Sequence, residues 1–216
     1  MKRRDFSLAA AAVVAPAFVG VSPASAQAAK PKEGKDYLVL DKRVPMEAAA
    51  GKIEVIEFFW YSCPHCNAFE PTLEGWIKKL PADVAFKRVP VAFRDDFAPQ
   101  QRLFYTLEAL NKVDELHRKV FQAVHVERLP LTKDDAIIAW AEKQGLDKAK
   151  FTEVFRSFTV ASKLRRAAQL QDAFKVEGVP SLGIAGRYYT DGSISGNMER
   201  ALQVTEYLVA EARKSK

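Results

Sequence analysis

Ile53 to Phe59 reads Ile-Glu-Val-Ile-Glu-Phe-Phe, five apolar positions interrupted by two glutamates. A run so rich in β-branched and aromatic residues predicts a strand buried on both faces. Further runs predict strands at 37–40, 84–91, 181–184 and 187–190. A helix is predicted from Cys63 to about Leu80, stopping before Pro81. Between 97 and 174 the period becomes helical: Leu103, Leu107 and Leu110 recur at helical spacing, as do Leu116, Val120, Phe121 and Val124. Thr132 and Asp135 form a T-x-x-D helix start, and Gly145 closes that helix. Phe151, Val154 and Phe155 mark a short helix, and a longer one runs to about Phe174. The hairpin pair Ala185-Gly186 places an alanine where a positive φ is costly, which leaves the turn type open. Asn197 caps a last helix through Glu211.

These elements predict an α/β fold, a mixed central sheet flanked by helices. The sheet-forming parts fall at 27–96 and 168–216, with a helical insertion at 97–167 between them. Gln27 to Asp36 is polar, with Pro31 and Gly34, and reads as a loose arm.

The first 26 residues read differently. Lys2, Arg3 and Arg4 precede an apolar stretch from Leu8 to Val21, and Ala24-Ser25-Ala26 is an A-x-A cleavage signal. A signal peptide at 1–26 is expected. An uncleaved anchor is the alternative, but the stretch is shorter than the ~20 residues a bilayer span needs. Arg3-Arg4-Asp5-Phe6 also resembles a twin-arginine export signal, so the route stays open. Export points to an oxidising compartment, the bacterial periplasm being the natural case.

The whole chain has 33 basic and 27 acidic residues, a net charge of +6. Without 1–26, which hold three basic residues and one acidic, 30 and 26 remain, a net charge of +4. The basic residues are scattered among acids, so no nucleic-acid stripe is present.

Both cysteines of the chain lie in Glu-Phe-Phe-Trp-Tyr-Ser-Cys-Pro-His-Cys, residues 57–66. Cys63 follows the buried strand and opens a helix, where free N–H groups and the dipole stabilise a thiolate. His65 favours the same anion, and Pro64 suits a first helical turn. Cys66 points further inward, where burial disfavours its thiolate. One sulfur is therefore the exposed attacking group and the other the shielded resolving group. A structural zinc site needs about four ligands, and these cysteines supply half; His117 and His125 read as ordinary surface or core-edge residues. A c-type haem would need histidine after Cys66, where Asn67 stands. A purely structural bridge is the remaining alternative.

The chain resembles the DsbA-type thiol:disulfide oxidoreductases, thioredoxin-fold proteins with an inserted helical domain. The resemblance rests on "EFFWYSCPHC" and "VEGVPSLGI" and covers nearly all of the chain after residue 26. It implies a buried acid at Glu57, placed to relay the proton of Cys66; a strand-end acid reaching solvent is the other reading. It implies a helix kink at Pro71 and a cis bond at Val179-Pro180, whose exposed backbone would pair with an extended substrate; a trans turn proline is the alternative. Trp60 and Tyr61 would contribute an apolar surface for unfolded chains, while Phe58 is assigned to the core. A basic residue near the buried acid is also implied, and alternation lets only one of Lys87 and Arg88 fill that place.

The resemblance further implies a protein dithiol oxidase that donates a Cys63–Cys66 disulfide to exported proteins, needs no cofactor or metal, and is reoxidised by a DsbB-type membrane quinone-linked enzyme. A monomer is expected. A reductase or isomerase is the runner-up, although isomerases of this class carry a dimerisation domain for which Gln27 to Cys63 leaves no room. A redox-inert polypeptide-binding module is the alternative from another class.

Overall fold

The computed structural model of the chain describes residues 29–215, so the expected signal peptide lies outside the described residues. The strands are β1 (Leu38–Val39), β2 (Ile53–Phe59), β3 (Val84–Pro90), β4 (Ser181–Ile184) and β5 (Tyr188–Asp191). They form one mixed sheet in the order β1-β5-β4-β2-β3, with β2 parallel to β3 and antiparallel to β4. All seven residues of β2 are buried, the two glutamates with the five apolar residues.

Helix α1 (Pro64–Ile77) follows β2 directly. It ends sooner than the apolar pattern suggests, because Lys79 and Leu80 bond back to Trp76 and Ile77 in a tightened last turn. Between β3 and β4 come a 3₁₀ turn (Asp95–Phe97) and α2 (Ala98–Ala109), α3 (Val113–His125), α4 (Asp134–Lys143), α5 (Lys148–Phe155) and α6 (Phe158–Ala173). A boundary at residue 167 therefore falls inside α6, which runs unbroken from the helical region back to the sheet. The short α7 (Gly192–Ser195) and the long α8 (Met198–Lys214) complete the chain.

Two apolar clusters enclose the sheet. Ile53 and Val55 pack with Phe69 and Leu73 of α1, Leu182 and Ile184 of β4, and Val204 and Leu208 of α8. Ile56 and Phe58 pack with the end of α6 and the helical region. Phe58 is fully buried, its ring 5.4 Å from that of Phe174. Burying such a side chain contributes about 1.5–3 kcal/mol. Gly183 makes this contact possible, since a Cβ there would stand 2.5 Å from the Phe174 ring.

Some local expectations are corrected. Thr132 caps nothing; α4 starts after Lys133, which makes no side-chain cap bond, with Asp134 and Asp135 in the first turn. Ala185 and Gly186 both take positive φ, 55° and 61°, the pattern of a type I′ turn. The end of the arm is not loose. Asp36 accepts from the Lys32 backbone N–H at 2.9 Å and pairs with Arg200 at 3.2 Å.

Candidate active site

β2 delivers the chain to the top of the sheet, and Trp60-Tyr61-Ser62 turn it into α1. The Cys63 N–H bonds to the Trp60 carbonyl at 3.0 Å, and Cys63 becomes the N-cap of α1 with Pro64 in the first turn. Its sulfur accepts the Cys66 backbone N–H at 3.4 Å, and its thiol lies 3.4 Å from the Val179 carbonyl oxygen. Both cysteines are free thiols. Cys63 is only 7% exposed, less than its place at a helix start suggests, because the Val179 loop lies over it; Cys66 is 0% exposed.

Environment separates the two sulfurs. A hydrogen bond from the Cys66 thiol, opposed by burial and helped by the Cys66 and His65 backbone N–H groups and the His65 charge, lowers the Cys63 pKa to about 6. Burial pushes the Cys66 thiol well above its ordinary value, and its proximity to Cys63 and Glu57 adds to the rise. His65 is exposed and acts on Cys63 as the smallest of these influences.

The Val179–Pro180 bond is cis. Val179 and Pro180 line a cleft of about 450 Å³ with His65, Asp191, Asn197 and Met198. On the other side, Trp60 is half-buried and stacks on Phe97 with ring centroids 3.8 Å apart. Tyr61 departs from its expected place on an apolar surface. It is 1% exposed, and its hydroxyl bonds His117 Nδ1 at 2.9 Å. Strand alternation turned at Trp60 sends the next ring inward, where Phe59 and Phe121 enclose it.

Glu57 lies on the α1 side of β2 and is fully buried. Burial raises its pKa, Arg88 opposes the rise and Glu70 adds to it. The sheet register selects the basic partner. Glu57 is opposed by Arg88 on β3, and Ile56 by Lys87. Arg88 Nε therefore stands 3.1 Å from Glu57, while Lys87 faces away to Glu54 at 3.2 Å and Glu47 at 2.8 Å. Arg88 also pairs with Glu70, which burial pushes up but which His117 and Arg88 together hold below its ordinary value. Glu70 is absent from the sequence expectations, and His117, expected at the surface or core edge, is buried beside it. Glu70 lies four residues after Cys66, one helical turn along the same face, and that spacing was the available signal. Among the described residues, no cluster of three or more cysteine, histidine or acidic side chains is placed to hold a metal.

The DSBA-like thioredoxin domain model matches residues 78–203. A thiol:disulfide interchange protein DsbA of Bordetella pertussis is 42% identical over 203 residues, 94% of this chain and 96% of that protein. The chain belongs to the DsbA-like thioredoxin family. The DsbA of Pseudomonas aeruginosa is 38% identical over 189 residues, 88% of this chain and 89% of that protein. The crystal structure of Pseudomonas aeruginosa DsbA superposes with a TM-score of 0.80 at 38% identity, covering 84% of this chain and 94% of that one. As a DsbA-type protein, the chain is a thiol:disulfide oxidoreductase of oxidative protein folding, with the Cys63-Cys66 pair as its redox centre. The fold is the expected thioredoxin fold, a mixed sheet flanked by helices with a helical insertion.

Proposed function

We propose that the chain works in the periplasm as a monomer that passes its Cys63–Cys66 disulfide to unfolded exported proteins. A substrate thiolate attacks Cys63 Sγ, the Cys63–Cys66 bond breaks, and the electron pair goes to the Cys66 sulfur. Cys66 takes a proton from Glu57, because its own anion is strongly disfavoured. A second substrate thiol, having lost its proton to solvent, attacks the substrate sulfur of the mixed disulfide. Cys63 leaves as a stabilised thiolate, and the substrate holds the new disulfide. A DsbB-type membrane quinone-linked enzyme then restores the Cys63–Cys66 bond.

In this reading Pro64 and His65 support the Cys63 thiolate, Val179 and Pro180 present backbone to an extended substrate segment, and Trp60 forms part of the rim. Tyr61 is too deep to touch substrate. The observation that carries the reading is the opposed environment of the two sulfurs, one a good leaving group and the other a thiol that keeps its proton. No helix among the described residues is long and apolar enough to cross a membrane.

The test mixes oxidised protein with a reduced, unfolded polypeptide bearing two cysteines. One disulfide per molecule should appear in the polypeptide while Cys63 and Cys66 become thiols. A polypeptide that stays reduced would overturn the proposal.

A further inference from the structure

Glu57 and Glu70 face a single guanidinium, Arg88, and neither carboxylate is more than 1% exposed. One buried positive charge does not balance two carboxylates, so one of them holds a proton. Geometry decides which. Arg88 Nη2 bonds Glu70 Oε1, and His117 Nε2, which makes no hydrogen bond among the described residues, faces that same oxygen at 3.5 Å. Glu57 has its ion-pair contact to Arg88 Nε, and neither of its oxygens has a hydrogen-bond partner among the described residues.

His117 serves Glu70 only with its proton on Nε2. The opposite nitrogen, Nδ1, lies 2.9 Å from the Tyr61 hydroxyl, which can donate or accept. Were Nδ1 to carry the proton, the Nε2 lone pair would point at a carboxylate. The hydroxyl therefore donates to Nδ1, and Nε2 keeps its hydrogen. Burial, against the pull of Glu70, holds the His117 pKa below its ordinary value, which keeps the ring neutral. The donor is itself fixed. His125, eight residues further along α3, bonds the Tyr61 main-chain carbonyl through Nε2 at 2.8 Å. One helix thus grips Tyr61 by its side chain and its backbone.

We infer that Tyr61 and His117 are positioning residues for the disulfide chemistry: by aiming the His117 Nε2–H at Glu70, they keep Glu70 as the ionised partner of Arg88 and leave the proton on Glu57. This rests on the proposed role of Glu57 as proton donor to Cys66. The groups facing the cluster are Tyr61 from the turn after β2, Arg88 from β3, Cys66, Glu70 and Glu74 from α1, and His117 from α3.

Carbon-13 NMR of the glutamate carboxyl carbons in the reduced protein tests it, with Glu57→Gln and Glu70→Gln assigning the two signals. In the unaltered chain Glu57 should titrate above neutral pH and Glu70 in acid. In Tyr61→Phe and His117→Gln the Glu57 midpoint should fall by about one pH unit, a tenfold loss of proton affinity, and the Glu70 midpoint should rise. The pH profile of disulfide transfer should move with the Glu57 midpoint. Tyr61→Phe removes one oxygen from an otherwise unchanged ring, so it decides the matter alone if His117→Gln does not fold. Unmoved midpoints in Tyr61→Phe overturn the inference and leave the role of Glu57 standing. An unaltered chain in which Glu57 titrates in acid overturns both.

Discussion

Cys66 donates its backbone N–H to the Cys63 sulfur across 3.4 Å, so the helix that carries both cysteines stabilises an anion on only one of them. Cys63 takes the charge at the helix start, and Cys66, one turn deeper, stays a thiol. The chemistry of the site follows from that asymmetry.

Brief alkylation of the reduced protein should therefore label Cys63 half-maximally near pH 6 and leave Cys66 untouched. His65→Ala should move the Cys63 midpoint slightly upward, since it removes the His65 charge and keeps the backbone N–H. Mass mapping reads both results. Equal labelling of the two cysteines contradicts the assignment.

Redox state should change stability in a pH-dependent way. The Cys63 pKa is depressed from about 8.5 in the unfolded chain to about 6 in the folded one. Its contribution is full above the unfolded value and is lost as pH falls through the folded one. That amounts to about 1–2 kcal/mol at pH 7 and about 2–3 kcal/mol at pH 8 for the reduced form. The disulfide opposes it with the chain entropy of so short a loop, at most about 2 kcal/mol and independent of pH. Thermal melts should show the reduced form gaining on the oxidised form as pH rises from 5 to 8, by about 2–3 kcal/mol in all. A difference independent of pH contradicts the account.

Glu57 works in the opposite sense. Its folded pKa is raised, so its contribution is full below the unfolded value near 4.3 and is lost as pH rises toward the folded one. Glu57→Gln should flatten that decline and raise the melting temperature at neutral pH. It should also slow disulfide transfer by up to about 10²-fold, the usual scale of a lost proton donor. A faster transfer, or a lower melting temperature at pH 7, contradicts both roles.

Gly183→Ala probes the sheet. The added Cβ meets the Phe174 ring at 2.5 Å, and overpacking of this kind costs about 1–3 kcal/mol. Denaturant titration should show that loss. An unchanged midpoint would mean that Phe174 moves aside freely.

Much of this was legible in the chain. The largely apolar run at Ile53–Phe59 announced the central strand, and helix-start chemistry around Cys63 announced which sulfur has its pKa lowered. Alternation narrowed the partner of Glu57 to Lys87 or Arg88, but only the register of β2 against β3 chose Arg88. What stayed hidden depends on long-range packing. Tyr61 and His117 are 56 residues apart, and no local pattern says that they meet. Nor does spacing say that the Val179 loop covers Cys63. Thr132 misled because a T-x-x-D pattern records the ability to cap, while α4 begins two residues later for want of that bond.

The central claim is that the Cys63–Cys66 disulfide is an oxidant, and its reduction potential against glutathione at pH 7 tests it most directly. Because Cys63 is stabilised as a thiolate when the pair is reduced, the potential should lie above about −180 mV, more oxidising than a disulfide isomerase. A value near the thioredoxin level of about −270 mV would contradict the account.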